Sequence, residues 1–286
     1  SQTEGNLRVA LITGPGGAGK TRLAAELCAR MAADGWFTGF LPRKSTKEDR
    51  QWLTRLPSHQ VIVIDYPEAL ATEDLAEVLQ ELSAATSPTV LVLTARETGK
   101  WWTDAVTAIG NARVPASVNT PYAVPLKQSI PNQLRLFERA ARALGNGSAP
   151  TTTFVQDQKW TTLDVVLQAW LAASGDPELP HDRDTLYREV LTREFGYWHD
   201  ALAGRGIEED AGRLAQLGAA ITLLGPADAE QIALVRRATL REHAPFDAPL
   251  PPAESLAYAK AILDLLGGGE HLAVRPDPLG EYLLLE

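Results

Sequence analysis

The sequence predicts an α/β fold: a parallel β-sheet with helices on both faces, followed by a helical domain and a small helical module that ends in a hairpin. Three observations carry this. Through the first 127 residues, short apolar runs alternate with segments of helical spacing, the pattern of parallel strands joined by helical crossovers. A glycine-rich turn, GPGGAGKT, separates the first apolar run from the first helical segment. After VPLKQSIP the strand-like runs stop and helical periodicity continues alone.

The elements follow in order. LRVALIT predicts a strand over 8–13, and TRLAAELCARMAADG a helix over 20–34 with Leu23, Leu27 and Met31 at helical spacing. A strand over 36–42 comes next, then HQVIVID over 60–65. Its continuous Val61, Ile62, Val63, Ile64 run is what a parallel strand covered on both faces requires. The helix over 71–86 gathers Leu75, Val78, Leu79 and Leu82 on one face. Strands over 90–95 and 120–126, with a helix over 99–108 between them, complete a first domain of residues 1–127. Trp101 and Trp102 open that last helix and are expected to pack on the sheet.

Residues 128–205 read as a helical domain. Ser129 caps and Pro131 starts a helix whose expected apolar face is Leu134, Phe137, Ala141 and Leu144, followed by TTLDVVLQAWLAA and TLYREVLTREFGYWHDAL. Residues 206–286 predict helices over 208–224, 228–240 and 254–266. The glycines and apolar alternation around His271 to Val274 then suggest a β-hairpin, and three helices with a hairpin make a winged helix. The closing YLLLE is expected to lead into a further domain.

Composition narrows the function classes. With 45% hydrophobic and 22% charged residues, the chain can bury a sizeable core. No apolar run approaches the roughly 20 residues needed to span a bilayer, and SQTEGNLR lacks the basic and apolar regions of a signal peptide. Cys28 is the one cysteine, so no internal disulfide forms and a reducing, cytoplasmic setting is expected. Its place among Leu23, Leu27 and Met31 predicts a core residue. The net charge of −9 argues against a broad nucleic-acid surface.

The glycine-rich turn is a full match to G-x-x-x-x-G-K-[ST], in the strand–loop–helix setting that a phosphate-binding loop needs. Gly14, Pro15, Gly16, Gly17, Ala18 and Gly19 would wrap their backbone around phosphate oxygens at the start of a helix, with Arg22 in its first turn. Lys20 would reach the β- and γ-phosphates, and the Thr21 hydroxyl would bind Mg²⁺. Asp65 ends the second apolar strand, where it either holds the metal through water, the Walker B role, or caps the next helix. TVLVLTARETGKWW ends its strand in Thr94 and Arg96; Arg96 either faces the γ-phosphate as a sensor or pairs with a surface carboxylate.

Taken together, GPGGAGKTRLA, GWFTGFL, VIVIDYPEA, VLVLTARETGKWW, REFGYW and RPDPLGEYL resemble the STAND NTPases, relatives of NACHT and NB-ARC proteins, in a bacterial branch commonly followed by tetratricopeptide repeats. The resemblance implies a P-loop nucleotide-binding domain, a helical lid domain and a winged helix. It also implies ATP or ADP with Mg²⁺ as ligands, effector and sensor domains in the same full-length chain, and homo-oligomers on activation. Lys20 and Thr21 would hold phosphate and Mg²⁺, Asp65 would be the Walker B acid, Arg96 the sensor, and Leu163 would lie near the adenine. The family's winged-helix histidine against the β-phosphate would be His271, the alternative being a hairpin-surface histidine. Two departures stand out. Tyr66 occupies the position where many hydrolysing relatives place Glu, the acid coming at Glu68 beyond Pro67, and the Gly-x-Pro of the helical domain is replaced by TTLDVVLQAW.

A general base reached through a Pro-containing turn predicts slow hydrolysis, which suits a nucleotide-controlled switch in signalling or defence better than a metabolic kinase. The second reading is a DNA-binding AAA-type ATPase or transcription regulator, for which Arg236, Arg237 and Arg241 offer cations on one helix. On an acidic domain such arginines more often form a solvated face or ion pairs.

Overall fold

The computed structural model describes residues 6–42, 45–108, 122–126, 130–145, 147–225, 228–243 and 252–266, with Leu279, Tyr282 and Leu283. The chain divides into two compact units, Ser1–Ser129 and Ile130–Glu286.

The first unit is a five-stranded sheet. Its strands are β1 (Leu7–Thr13), β2 (Phe37–Phe40), β3 (Gln60–Asp65), β4 (Thr89–Ala95) and β5 (Tyr122–Pro125), in the order β2-β3-β4-β1-β5, and every pairing is parallel. Helices α1 (Lys20–Ala33), α2 (Lys47–Thr54), α3 (Thr72–Ser83) and α4 (Lys100–Ala108) connect and cover it. Alternation along β3 shows why its apolar run is unbroken. Val61 and Val63 face α1, packing with Ala24 and Cys28, whereas Ile62 and Ile64 face Leu75, Leu79 and Leu82 of α3 and Trp102 of α4. Each face needs its own apolar row, so no polar position is left.

Helix α2 has no counterpart in the sequence reading. It is short and carries only two large apolar residues, Trp52 and Leu53, too few for a periodic signal. Its signature lies in the cap: the Thr46 side chain accepts from the Asp49 N–H while the Asp49 carboxylate accepts from the Thr46 N–H. Arg50, itself buried, fastens α2 to Glu77 and Glu81 of α3 and to the Ser45 carbonyl.

In the second unit, α5 (Ile130–Leu144), α6 (Thr162–Ala173), α7 (Arg183–Ala203), α8 (Ala211–Leu224), α9 (Ala229–His243) and α10 (Pro252–Leu265) share one core running from Phe137 to Leu279. The expected helical and winged-helix domains both contribute to it; the residues of the expected hairpin lie outside those described. The apolar face expected of α5 needs correction. Phe137 and Ala141 are buried, but Leu134 and Leu144 are exposed and Gln133 is fully buried. Gln133 holds the incoming chain instead, its amide donating to the carbonyls of Asp157 and Trp160. Asp164 is likewise buried and fully engaged, bound by Arg183, the Tyr187 hydroxyl and the Thr161 N–H. Where α8 crosses α7, a Cβ at Gly218 would come within 2.9 Å of the Phe195 ring, so only glycine permits the approach.

Candidate nucleotide-binding site

The site is built at the carboxyl ends of β1, β3 and β4. Register places Thr94 beside Ile12 of β1 and beside Asp65 of β3. Partners in a parallel ladder share a face, so Thr94 and Asp65 are presented on the face that α1 covers. There the Thr94 hydroxyl donates to Asp65 Oδ1, and the Thr21 hydroxyl, from the first turn of α1, donates to Asp65 Oδ2 at 2.9 Å. Each carboxylate oxygen thus has its own hydroxyl donor, and the strand end is fastened to the loop–helix junction.

The loop from Gly14 to Gly19 arches from β1 into α1. Its base is tied to β4 by the Gly14 N–H donating to the Arg96 carbonyl at 3.2 Å, and its turn is closed by the Ala18 N–H on the Pro15 carbonyl at 3.2 Å. Gly17 at φ 73° and Gly19 at φ 92° occupy the left-handed region that side chains resist. Gly19 caps α1 without a side-chain hydrogen bond, and the first turn holds no acidic residue. The partial positive charge of this helix end is therefore not neutralised from within the helix, which favours an anion. Lys20 adds a full charge. It is 5% exposed, and its ammonium donates to the carbonyls of Gly14 at 2.8 Å and Pro15 at 3.0 Å, across the mouth of the loop.

The turn after β3 explains how an acid can arrive two residues late. Tyr66 adopts φ 54°, the single described non-glycine residue with positive φ, and its N–H donates to the Thr94 carbonyl at 3.1 Å. A 3-10 turn, Pro67–Ala69, follows and carries Glu68 back toward the end of β4. There Glu68 Oε1 accepts the Arg96 N–H at 3.2 Å, and the buried Oε2 has no hydrogen-bond partner among the described residues. Arg96 itself is exposed, just past β4.

Of the remaining expected residues, Pro15 and Arg22 are exposed, and Gly16 lies half-buried in the loop. Leu163 is half-buried in the first turn of α6, in the second unit. His271 lies outside the described residues. Arg236 does not belong to a basic face: it is buried, binds Glu209 at 2.6 Å, and stacks over Tyr258 with its guanidinium 4.0 Å from the ring centroid. Sequence reasoning gave Thr94 no role. Its signal was positional, because the strand between the loop strand and the Asp65 strand must put its terminal polar side chain beside that acid.

Residues 1–108 match the family described as Novel STAND NTPase 5. That match supports a STAND-class P-loop NTPase domain over this segment. No curated protein matches the chain. Among solved structures it is similar to a single-substitution variant of RuvB from Thermotoga maritima, at 16% identity over 79% of this chain and 73% of that one, with a TM-score of 0.39. It is also similar to AMPPCP-bound DnaA from Aquifex aeolicus, at 8% identity over 90% and 81%, with a TM-score of 0.41. A DnaA bound to AMPPCP and single-stranded DNA gives 10% identity over 88% and 76%, with a TM-score of 0.41.

The donors of this loop and helix start fit a nucleoside phosphate. Among the described residues no group of three or more His, Cys, Asp or Glu side chains can hold a metal. A divalent ion here would rest on Thr21, Asp65 and the phosphates themselves, the sparse protein ligation that Mg²⁺ accepts. No helix among the described residues is long and apolar enough to cross a membrane.

Proposed function

We propose that this chain is an ATP- and ADP-binding switch module with slow Mg²⁺-dependent hydrolysis, working in signalling or defence. The observation that carries the reading is the coupling of Asp65 to Thr21 at the mouth of a loop whose buried Lys20 supplies the positive charge. Lys20 exchanges its two carbonyl partners for β- and γ-phosphate oxygens, Thr21 and Asp65 hold Mg²⁺, and Arg96 senses the γ-phosphate. Glu68 polarises the attacking water through Oε2. A base held on a strained Tyr–Pro turn, with its other oxygen committed to the Arg96 N–H, supports a slow cycle. The nucleotide then acts as a timer on the following helical unit, with sensor domains of the full-length chain as input and effector domains and self-assembly as outputs. The DNA-reading alternative loses one of its three arginines, because Arg236 is engaged within the core.

The test is mass analysis of nucleotide released from the denatured protein, joined to calorimetry of Lys20→Ala. Loss of this charge-assisted contact is expected to weaken ATP at least tenfold, about 1.4 kcal/mol. Unchanged affinity would make the loop a structural turn.

A further inference from the structure

β2 forms one edge of the sheet, away from the nucleotide site, and that edge is unusual. The N–H groups of Phe37 and Leu41 donate to the carbonyls of His59 and Val63 on β3. In a parallel ladder this alternation turns the backbone groups of Thr38 and Phe40 outward, and among the described residues nothing bonds them there. Exposed edges are usually blunted by charge, proline or a covering element. Here the edge is flanked by aromatics instead: Phe40 is 42% exposed and Trp52 of α2 is 54% exposed.

Between β2 and α2 runs a groove of about 590 Å³, with Ile62 and Leu53 in its wall. Gly39 makes room for it. A Cβ there would meet nothing within 4 Å, so the strand leaves a notch beside Phe37, whose ring stands edge-on to Trp52 at 5.5 Å. Glu48 and Asp49 also line the groove. Asp49 is held below the usual carboxylate range, first by the Thr46 N–H and then by its hydroxyl, so it is anionic at neutral pH. Glu48 is exposed and has no ion-pair partner among the described residues.

We propose that this groove docks an extended segment of a partner protein, added as a strand on the outer edge of β2, with alternate apolar side chains in the Gly39 notch and a Lys or Arg against Glu48 and Asp49. Outward backbone groups at Thr38 and Phe40 supply the ladder, and the notch reads alternate side chains. The acidic rim chooses the sign. At this groove Glu48 and Asp49 disfavour nucleic acid, and a second copy pairing edge to edge would bring the same two carboxylates against them.

The probe is the capped peptide acetyl-Thr-Val-Thr-Leu-Thr-Lys-Thr-amide, which puts Val, Leu and Lys on one face, titrated into the full chain labelled with ¹⁵N. The expected result is a shift of the Thr38 and Phe40 amides and at least tenfold slower hydrogen exchange at both. Gly39→Leu fills the notch and Trp52→Ala removes its wall; each is expected to weaken the peptide at least tenfold while nucleotide binding stays intact. Glu48→Lys weakens it about fivefold, a gap that closes at high salt. The proposal is overturned if the two amides do not respond, if the peptide with Glu in place of Lys binds equally, or if both groove variants bind as the parent does. Concentration-dependent shifts of the same amides without peptide would overturn it in favour of a second copy.

Discussion

Thr94→Val isolates one hydrogen bond in the candidate site. Thr94 is fully buried, and its hydroxyl donates to one oxygen of Asp65 while Thr21 donates to the other at 2.9 Å. Valine keeps the shape and β-branching of threonine, so the strand and the core beneath it should persist. What disappears is one donor to a carboxylate, an interaction typically contributing about 1.5–3 kcal/mol. Asp65 is half-buried, so water replaces part of that bond, and the lower figure of about 1.5 kcal/mol applies, roughly tenfold in an equilibrium constant. With Oδ1 released, the carboxylate is free to rotate and loses the orientation that serves Mg²⁺. The Mg²⁺-dependent part of ATP affinity should therefore fall about tenfold, while affinity in EDTA stays within twofold. Fluorescent-nucleotide titrations in Mg²⁺ and in EDTA give both numbers for parent and variant. If the ratio of the two affinities is the same in both proteins, Thr94 does not position Asp65, and the bond is a packing detail of the sheet.

Three further outcomes are expected. Turnover of the parent should lie well below the ~10 s⁻¹ of a median enzyme, and Glu68→Gln should lower it by a further ~10²–10⁴-fold with ATP affinity unchanged; a parental rate in single-turnover assays would move the base elsewhere. Arg96→Ala should weaken ATP about tenfold and ADP by less than twofold, and equal losses in calorimetry would leave Arg96 a surface ion pair. Arg236→Met removes the hydrogen-bonded partner of Glu209 Oε2 and leaves that buried carboxylate only the longer Arg213 contact at 3.9 Å. The change costs about 3 kcal/mol, the low end for breaking a buried pair, or roughly 2–4 °C of melting temperature for each kcal/mol in a domain of this size. Adding Glu209→Gln should restore most of that loss, and a single variant melting with the parent would return Arg236 to the solvated face.

The sequence by itself determined the sheet, the loop and the order of their parts. A parallel strand covered on both faces must be apolar throughout, so VIVI declared itself, and a phosphate loop must have glycine where φ is positive, so GPGGAGKT did too. These are local requirements, written where they act. The structure alone decided which side chains meet across the chain. Strand order sets Thr94 beside Asp65, 29 residues apart in sequence, because register is a property of the assembled sheet. The left-handed Tyr66 that returns Glu68 to β4 is a backbone choice that no residue type announces, since tyrosine rarely makes it. For Arg236 the sequence leaves a solvated face and an ion pair both open, and Glu209 and Tyr258, from other segments of the chain, decide for the ion pair. Helix α2 has no periodic signal because it is eight residues with two large apolar side chains; a cap at its start and the bonds of its Arg50 to Glu77 and Glu81 of α3 hold it instead. Backbone geometry and burial periods are short-range and legible in sequence, whereas the pairing of polar groups follows from how the elements pack.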